Sequence, residues 1–118
     1  MTYSNITIYH NPRCSKSRAA YSFLQEQNIG FNIIEYQKEV PSKADIKKIL
    51  ELLNLPIRNI IRTTDENFKQ LNINVEDLDP TGAIEIISSN IKLLQRPIIV
   101  LDNVAIIARP IENLTKLF

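Results

Sequence analysis

The first third of the chain alternates between strand-like and helix-like patterns of apolar residues. Residues 6–9 alternate in polarity as a short strand does, and residues 15–28 then predict a helix that Gly30 ends. The apolar residues that recur there at helical spacing are Ala19, Ala20, Phe23 and Leu24. Residues 31–36 are rich in β-branched and aromatic side chains and predict a second strand. The segment therefore reads as a βαβ unit with parallel strands.

The middle of the chain, about residues 42–91, predicts a mostly helical insert. Ser42 and Asp45 have the spacing of a capping box at the start of one helix. Asp79 and Pro80 open another helix as its N-cap and first helical residue. The apolar stripes of these two helices contain Ile46, Ile49, Leu50, Leu53, Ala83, Ile84 and Ile87.

Two apolar runs, residues 97–101 and 104–108, follow the insert. Asp102 and Asn103 separate them and tolerate the positive φ angles of a two-residue turn, so the pattern predicts an antiparallel hairpin. Both runs are apolar throughout, which predicts a sheet covered on both faces. Pro110 then begins a predicted terminal helix.

The predicted element order is β-α-β, helical insert, β-β-α. This order predicts an α/β, thioredoxin-like fold in which helices flank a mixed four-stranded sheet and the insert lies between strands two and three. A chain of 118 residues with 44% hydrophobic content has the size of one domain, so we predict that residues 1–118 form a single domain. Pro97 stands at the start of a buried strand and is a candidate cis-proline.

Composition and charge exclude several classes of function. Fourteen basic and thirteen acidic residues leave no global charge that would attract nucleic acid or an anionic membrane. The sequence shows neither a leader-like N-terminus nor an apolar run of membrane-spanning length, so we predict a cytoplasmic protein. A single cysteine excludes an internal disulfide and a cysteine-rich zinc site, and no metal-ligand cluster or Gly-rich phosphate loop is present in the sequence.

Cys14 is the residue that the sequence marks for chemistry. It lies between the first strand and the first helix, where the unpaired N–H groups of the first helical turn favour an anion. Its cationic neighbours in sequence are His10, Arg13, Lys16 and Arg18. Both effects lower the pKa of a thiol, so we interpret Cys14 as a nucleophilic thiolate. The alternative is a small buried cysteine, and the polar, proline-containing flank argues against it.

His10 and Ser17 are the polar residues on either side of this cysteine. His10, the only histidine, can orient the loop or shield the thiolate, and we rank such a supporting role above direct proton transfer. A strand-end histidine satisfied by backbone hydrogen bonds is the alternative without function. Ser17 makes the motif Cys-x-x-Ser, so no second internal thiol can resolve an adduct on Cys14.

Arginines form the second group of candidate site residues. Arg96 and Arg109 each precede a proline, one before and one after the predicted hairpin, so both should lie at one end of the sheet. If Cys14 lies at that end, their guanidinium groups can bind a tetrahedral oxyanion. Each arginine alone would be interpreted as a solvated surface residue. In the insert, spacing does not distinguish Arg62 from Arg58 as a third member.

The sequence resembles the arsenate reductase family of the glutaredoxin-coupled type over nearly its whole length. The family's cysteine motif and helix start are matched by His10, Asn11, Pro12, Cys14, Ser17 and Arg18. Its three anion-binding arginines are matched by Arg62, Arg96 and Arg109, and Pro97 matches its cis-proline. The chain departs from many arsenate-active members by having Ser15 and Lys16 after the cysteine instead of Gly-Thr.

The resemblance implies an enzyme that reduces arsenate to arsenite. Arsenate would bind Arg62, Arg96 and Arg109, and the Cys14 thiolate would attack arsenic, with His10 in the catalytic group. The supporting residues are Asn11, Ser17 and Pro97, which match the family's motifs, together with Ser15, which departs from them. Glutathione as co-substrate, followed by glutaredoxin, would release the adduct from a monomeric enzyme without a metal or bound cofactor.

Two other functions remain open. One is a regulator resembling Spx, a thioredoxin-like protein that binds RNA polymerase; Ser17 removes the Cys-x-x-Cys switch that is common in such sensors, and Arg109 fits the reductases better. The other is a general glutathione-dependent thiol oxidoreductase. Its disulfide substrates would not require Arg96 and Arg109, which separates it from an oxyanion reductase.

Overall fold

The computed structural model describes residues 3–118, which contain four strands and six α-helices. The strands are β1 (Ile6–His10), β2 (Asn32–Glu35), β3 (Ile98–Leu101) and β4 (Val104–Ile107). The α-helices are α1 (Ser15–Glu26), α2 (Lys43–Leu53), α3 (Ile57–Ile60), α4 (Glu66–Lys69), α5 (Pro80–Ser89) and α6 (Glu112–Thr115). Two short 3₁₀ helices, Val75–Asp77 and Ile91–Leu93, flank α5.

The described chain divides into two compact units. One unit consists of the described part of Met1–Glu39 together with Arg96–Phe118, and it contains the whole sheet. The other unit, Val40–Gln95, is the helical insert. The assignment of residues 1–118 to a single domain stays a prediction.

The sheet has the strand order β2-β1-β3-β4. β1 is parallel to β2, with His10 opposite Glu35, and antiparallel to β3, with Tyr9 opposite Ile98. β4 returns antiparallel to β3. The predicted fold is therefore confirmed: a mixed four-stranded sheet with helices and a helical insert between β2 and β3. Because of this register, β1, β2 and β4 end where β3 begins. We call this end of the strands, which is distinct from the outer strands of the sheet, the Cys14 edge.

The core of the sheet unit lies between β1, β3 and α1. β1 alternates between buried and half-buried residues, as its sequence pattern predicts. The buried cluster contains Ile6, Ile8, Ala20, Leu24, Ile99, Leu101, Ala108 and Leu114. Leu24 is fully buried and comes from the apolar face of α1, so the packing of this helix holds the loop that precedes it.

The hairpin between β3 and β4 forms as predicted, except at its outer strand. Asp102 has a φ of 52° in the turn, and its carboxylate accepts hydrogen bonds from the backbone N–H groups of Ser4 and Asn5. β3 is largely buried, but Val104 of β4 is 49% exposed. The prediction that both faces are covered is therefore wrong at Val104, because β4 is an edge strand. The Arg96–Pro97 bond is cis, as predicted, and so is Arg109–Pro110.

The helical unit begins with the predicted capping box. The Ser42 hydroxyl accepts from the Asp45 N–H at 3.1 Å, and the Asp45 carboxylate accepts from the Ser42 N–H at 3.3 Å. Asp79 caps α5 by accepting from the Gly82 N–H at 2.7 Å. The buried residues of α2 and α5 are Ile46, Ile49, Leu50, Leu53, Ala83 and Ile87. Both predicted helix starts are confirmed.

Replacement of Leu24 by alanine tests the packing of α1. Leu24→Ala should lower the free energy of unfolding by about 2–5 kcal/mol, because it leaves a cavity in the core. Ile33→Ala is the control, since Ile33 is 43% exposed and its loss should cost much less. Urea unfolding measures both values. Similar losses in the two variants would contradict the core described above.

Candidate active site

The loop between β1 and α1 places Cys14 at the N-cap of α1. Its backbone N–H donates to the Asn11 carbonyl at 3.0 Å, and its carbonyl accepts from the Arg18 N–H at 2.9 Å. The Asn11 side-chain oxygen accepts from the Arg13 N–H at 3.0 Å. N-cap residues are usually Ser, Thr, Asp or Asn, whereas this helix has a cysteine at its N-cap, and the side chain makes no capping hydrogen bond.

Ser17 connects this loop to the end of β1. Its buried hydroxyl lies 2.6 Å from His10 Nδ1 and accepts from the Asn11 N–H at 2.9 Å. With neutral His10 unprotonated at Nδ1, the Ser17 hydroxyl donates to the ring while it accepts from Asn11, which satisfies all three groups. The His10 ring also stacks on Tyr21 at a centroid distance of 5.1 Å. Ser17 therefore fixes the loop against the sheet.

The pKa of the half-buried Cys14 thiol is below its ordinary value. Burial raises this pKa, but the effect is outweighed by the Ser17 N–H, the Arg96 side chain and the Lys16 N–H, which stabilise the ionised sulfur. The charge of Arg96 also lowers the pKa. Backbone N–H groups of the helix start and an arginine from a distant part of the sequence therefore both lower the pKa of Cys14, and its role as a nucleophile stays a prediction.

His10 has a pKa below its ordinary value, mainly because the ring is buried. Glu35 on the neighbouring strand raises this pKa, and the charge of Arg18 lowers it. The neutral imidazole is thus favoured, and its hydrogen bond to Ser17 orients the loop. Of the two supporting roles considered from the sequence, the geometry favours orientation over a charged shield.

The sheet register brings two of the three predicted arginines to the Cys14 edge. Arg96 immediately precedes the buried Pro97 and β3, which starts beside the end of β1. Arg109 follows β4 at the same edge and is exposed. Within residues 3–118 its side chain has no hydrogen-bond or ion-pair partner. Ser15, the first residue of α1, is also exposed.

Arg62 belongs to the helical unit, and its position relative to Cys14 stays a prediction. Its Nη1 donates to the Asp65 carboxylate at 3.1 Å and to the Lys92 carbonyl at 3.2 Å. Arg58, the alternative that spacing left open, lies 3.7 Å from the Glu76 carboxylate on an exposed surface. Arg62 is the less exposed and better fixed of the two guanidinium groups.

Tyr36 is a residue at this edge that our sequence analysis missed. It directly follows β2, and the residue is only 1% exposed. The charges of both Arg96 and Cys14 influence the pKa of its hydroxyl group. The available sequence signal was the end of β2, because parallel strands end at the same edge of a sheet.

Metal and membrane features are not found in the described part of the chain. Among residues 3–118, no group of three or more His, Cys, Asp or Glu side chains is arranged to hold a metal ion. None of the helices in that range is long and apolar enough to cross a membrane.

The fold and the cysteine loop define a thioredoxin-like α/β protein with a cysteine at the start of its first helix, and comparisons with known proteins give its family. The sequence profile of the ArsC family matches residues 9–117, so the chain belongs to this family. The chain is 37% identical over 110 residues to an arsenate reductase of Neisseria meningitidis, covering 92% of this chain and 94% of that one.

Two further relatives extend this comparison. The structure of an arsenate reductase from Vibrio cholerae is similar with a TM-score of 0.90 and 31% identity, over 99% of this chain and 100% of that one. The regulatory protein MgsR of Bacillus subtilis is 35% identical over 98 residues, covering 83% of this chain and 77% of MgsR. Relatives of this chain are thus named both as enzymes and as a regulator.

Replacement of Ser17 by alanine tests how the loop is held. Ser17→Ala should lower the free energy of unfolding by about 1–3 kcal/mol, because the Asn11 N–H and His10 Nδ1 lose their buried partner. The control is Ser22→Ala at an exposed position of the same helix, where alanine should cost nothing. Equal stability of the two variants in thermal and urea unfolding would show that the hydrogen bonds of the Ser17 hydroxyl do not hold the loop.

Proposed function

We propose that this protein reduces arsenate to arsenite with the Cys14 thiolate as the nucleophile. The observation that carries this proposal is the lowered pKa of the Cys14 thiol at the start of α1, beside the Arg96 guanidinium. A thiolate attacks an electrophile, and a guanidinium binds an oxyanion. Arsenate offers both properties in one small molecule. The names of the enzymes from Neisseria meningitidis and Vibrio cholerae support the same substrate.

Arsenate binds through arginines in this proposal. Arg96 neutralises charge next to the sulfur, and Arg109 lies at the same edge of the sheet with a guanidinium group that has no partner among residues 3–118. Arg62 is the third ligand, which requires that the anion compete with Asp65 for its Nη1. Paired N–H groups with permanent charge suit a tetrahedral oxyanion and offset the charge that develops as sulfur attacks.

The residues of the loop keep the nucleophile in place. His10 and Ser17 orient the loop, and Asn11 accepts and donates the hydrogen bonds that form its turn. Pro97 positions Arg96 at the start of β3. Ser15, the exposed first residue of α1, supports the anion from the helix start.

Reduction of arsenic(V) to arsenic(III) takes two electrons. External thiols must supply both of them, because the chain has one cysteine. Cys14 forms a sulfur–arsenic bond as one arsenate oxygen leaves as water, and glutathione forms a second such bond as another water leaves. A glutaredoxin thiolate then attacks the glutathione sulfur. That sulfur–arsenic bond breaks with its electron pair on arsenic, giving arsenic(III) and a mixed disulfide. Water cleaves the remaining bond, which returns the Cys14 thiol and releases arsenite.

This chemistry bears on the compartment and the oligomeric state of the protein. Glutathione and glutaredoxin keep thiols reduced in the cytoplasm, so we propose that the protein acts there. Each step uses groups of a single chain plus external thiols, so a monomer suffices, without a metal or bound cofactor.

A regulatory function is the second candidate, and the similarity to MgsR is the observation that favours it. Cys14 would then act as a redox sensor that pairs with an external thiol, since Ser17 cannot form a disulfide. Such a protein would not turn over arsenate.

Steady-state reduction of arsenate with glutathione and glutaredoxin tests the enzymatic function. Cys14→Ser should abolish turnover, because a hydroxyl is not ionised at neutral pH. Arg96→Ala and Arg62→Ala should each raise the KM for arsenate about 10- to 100-fold, the loss expected for a hydrogen bond to a charged group. Arg58→Ala is the matched control and should leave the KM unchanged.

Three results would contradict the proposal. Wild-type protein that does not reduce arsenate, or Cys14→Ser protein that does, would exclude Cys14 as the nucleophile of a reductase. An unchanged KM in Arg96→Ala would exclude arginine binding of the anion at the Cys14 edge and favour a general thiol oxidoreductase.

A further inference from the structure

The hydroxyl group of Tyr36 is buried without a hydrogen-bond partner. Among the buried side-chain nitrogen and oxygen atoms of residues 3–118, two have no partner: Tyr36 Oη and Arg96 Nε. Buried polar groups are nearly always hydrogen-bonded, because an unpaired group loses its bonds to water on folding. Both unpaired atoms belong to residues of the Cys14 edge.

Neighbouring side chains do not accept the proton of this hydroxyl. Arg96 and Gln37 both lower the pKa of Tyr36, but within residues 3–118 neither side chain makes a hydrogen bond to its hydroxyl group. A guanidinium has only donor groups, so Arg96 cannot accept from a phenol. The Tyr36 O–H and the Arg96 Nε–H are therefore two donors without an acceptor. Two such donors at one site indicate a ligand that carries lone pairs or negative charge.

The ionised sulfur of Cys14 is not that acceptor. Its negative charge raises the pKa of Tyr36, and the pairing of His10 with Glu35 places both residues beyond the same end of the parallel strands. The groups that stabilise the sulfur are the Ser17 and Lys16 N–H groups and Arg96, and Tyr36 is not one of them. The hydroxyl thus lies near the sulfur without bonding to it.

We propose that the Tyr36 hydroxyl and the Arg96 Nε–H donate hydrogen bonds to the oxyanion that reacts with Cys14, so that Tyr36 is a substrate-binding residue. This inference rests on the proposed function. It adds a buried neutral donor to a site that already contains three arginines and Ser15. Burial raises the pKa of Tyr36 above its ordinary value, so the hydroxyl keeps its proton at neutral pH. It can therefore donate to a monoanion or a dianion.

The test compares Tyr36→Phe with Tyr3→Phe. Both variants remove one phenolic hydroxyl and keep the ring, but Tyr3 Oη donates to the Leu117 carbonyl at 3.3 Å, before β1 and away from Cys14. Inorganic arsenate should protect Cys14 from alkylation by iodoacetamide. Half-protection of Tyr36→Phe should need about tenfold more arsenate than half-protection of wild-type or Tyr3→Phe protein.

Stability and thiol reactivity separate this role from a structural one. Tyr36→Phe removes a polar group that has no partner, so its thermal midpoint should equal or exceed that of the wild type. Without arsenate, the pH dependence of Cys14 alkylation should match the wild type, because the hydroxyl does not bind the sulfur. A structural role would instead lower the thermal midpoint.

Four results would overturn the inference. The first is half-protection of Tyr36→Phe at the wild-type arsenate concentration, with wild-type turnover intact, which leaves the reductase function in place. The second is a Tyr36→Phe protein that is destabilised or unfolded. The third is a shifted alkylation profile without arsenate, which would assign the hydroxyl to the thiolate. The fourth is wild-type protein that arsenate neither protects nor uses as a substrate, which overturns the proposed function as well.

Discussion

The ionisation of the Cys14 sulfur depends on a balance between burial and the groups that face it. Burial favours the neutral thiol, while the first-turn N–H groups of α1 and the guanidinium of Arg96 favour the thiolate, and the second effect is larger. These opposing contributions come from distant parts of the sequence. The helix start is local, but Arg96 reaches the sulfur because β3 pairs antiparallel with β1 and begins where β1 ends. The pKa of the thiol thus depends on strand pairing in the sheet as well as on the helix start.

Position and charge are supplied by different residues in this site. Ser17 and His10 hold the loop through hydrogen bonds, and the buried His10 ring needs no charge to do so. Arg96 supplies the charge next to the sulfur. The Tyr36 hydroxyl neither holds the loop nor supplies charge, since it makes no hydrogen bond within residues 3–118. A buried polar atom without a partner lowers the free energy of unfolding in the absence of a ligand, as is common for preorganised binding sites.

Local patterns in the sequence predicted most of the fold and part of the site. The capping residues Ser42 and Asp79 and the cis-proline Pro97 act through their nearest neighbours, so their roles are visible in sequence. The exposure of Val104 was not predictable, because an apolar run does not reveal which strand lies at the edge of the sheet. Tyr36 was missed for a similar reason. The absence of a hydrogen-bond partner is a property of three-dimensional packing.

The pKa of Cys14 is the measurement that tests this account most directly. The thiolate absorbs in the ultraviolet, and the single cysteine makes a titration of this absorbance, corrected with Cys14→Ser protein, unambiguous. We expect a midpoint clearly below the value of about 8.5 for an ordinary cysteine, and a higher midpoint in Arg96→Ala. A wild-type midpoint at or above that ordinary value would show that burial outweighs the helix start and the guanidinium, and would contradict the account.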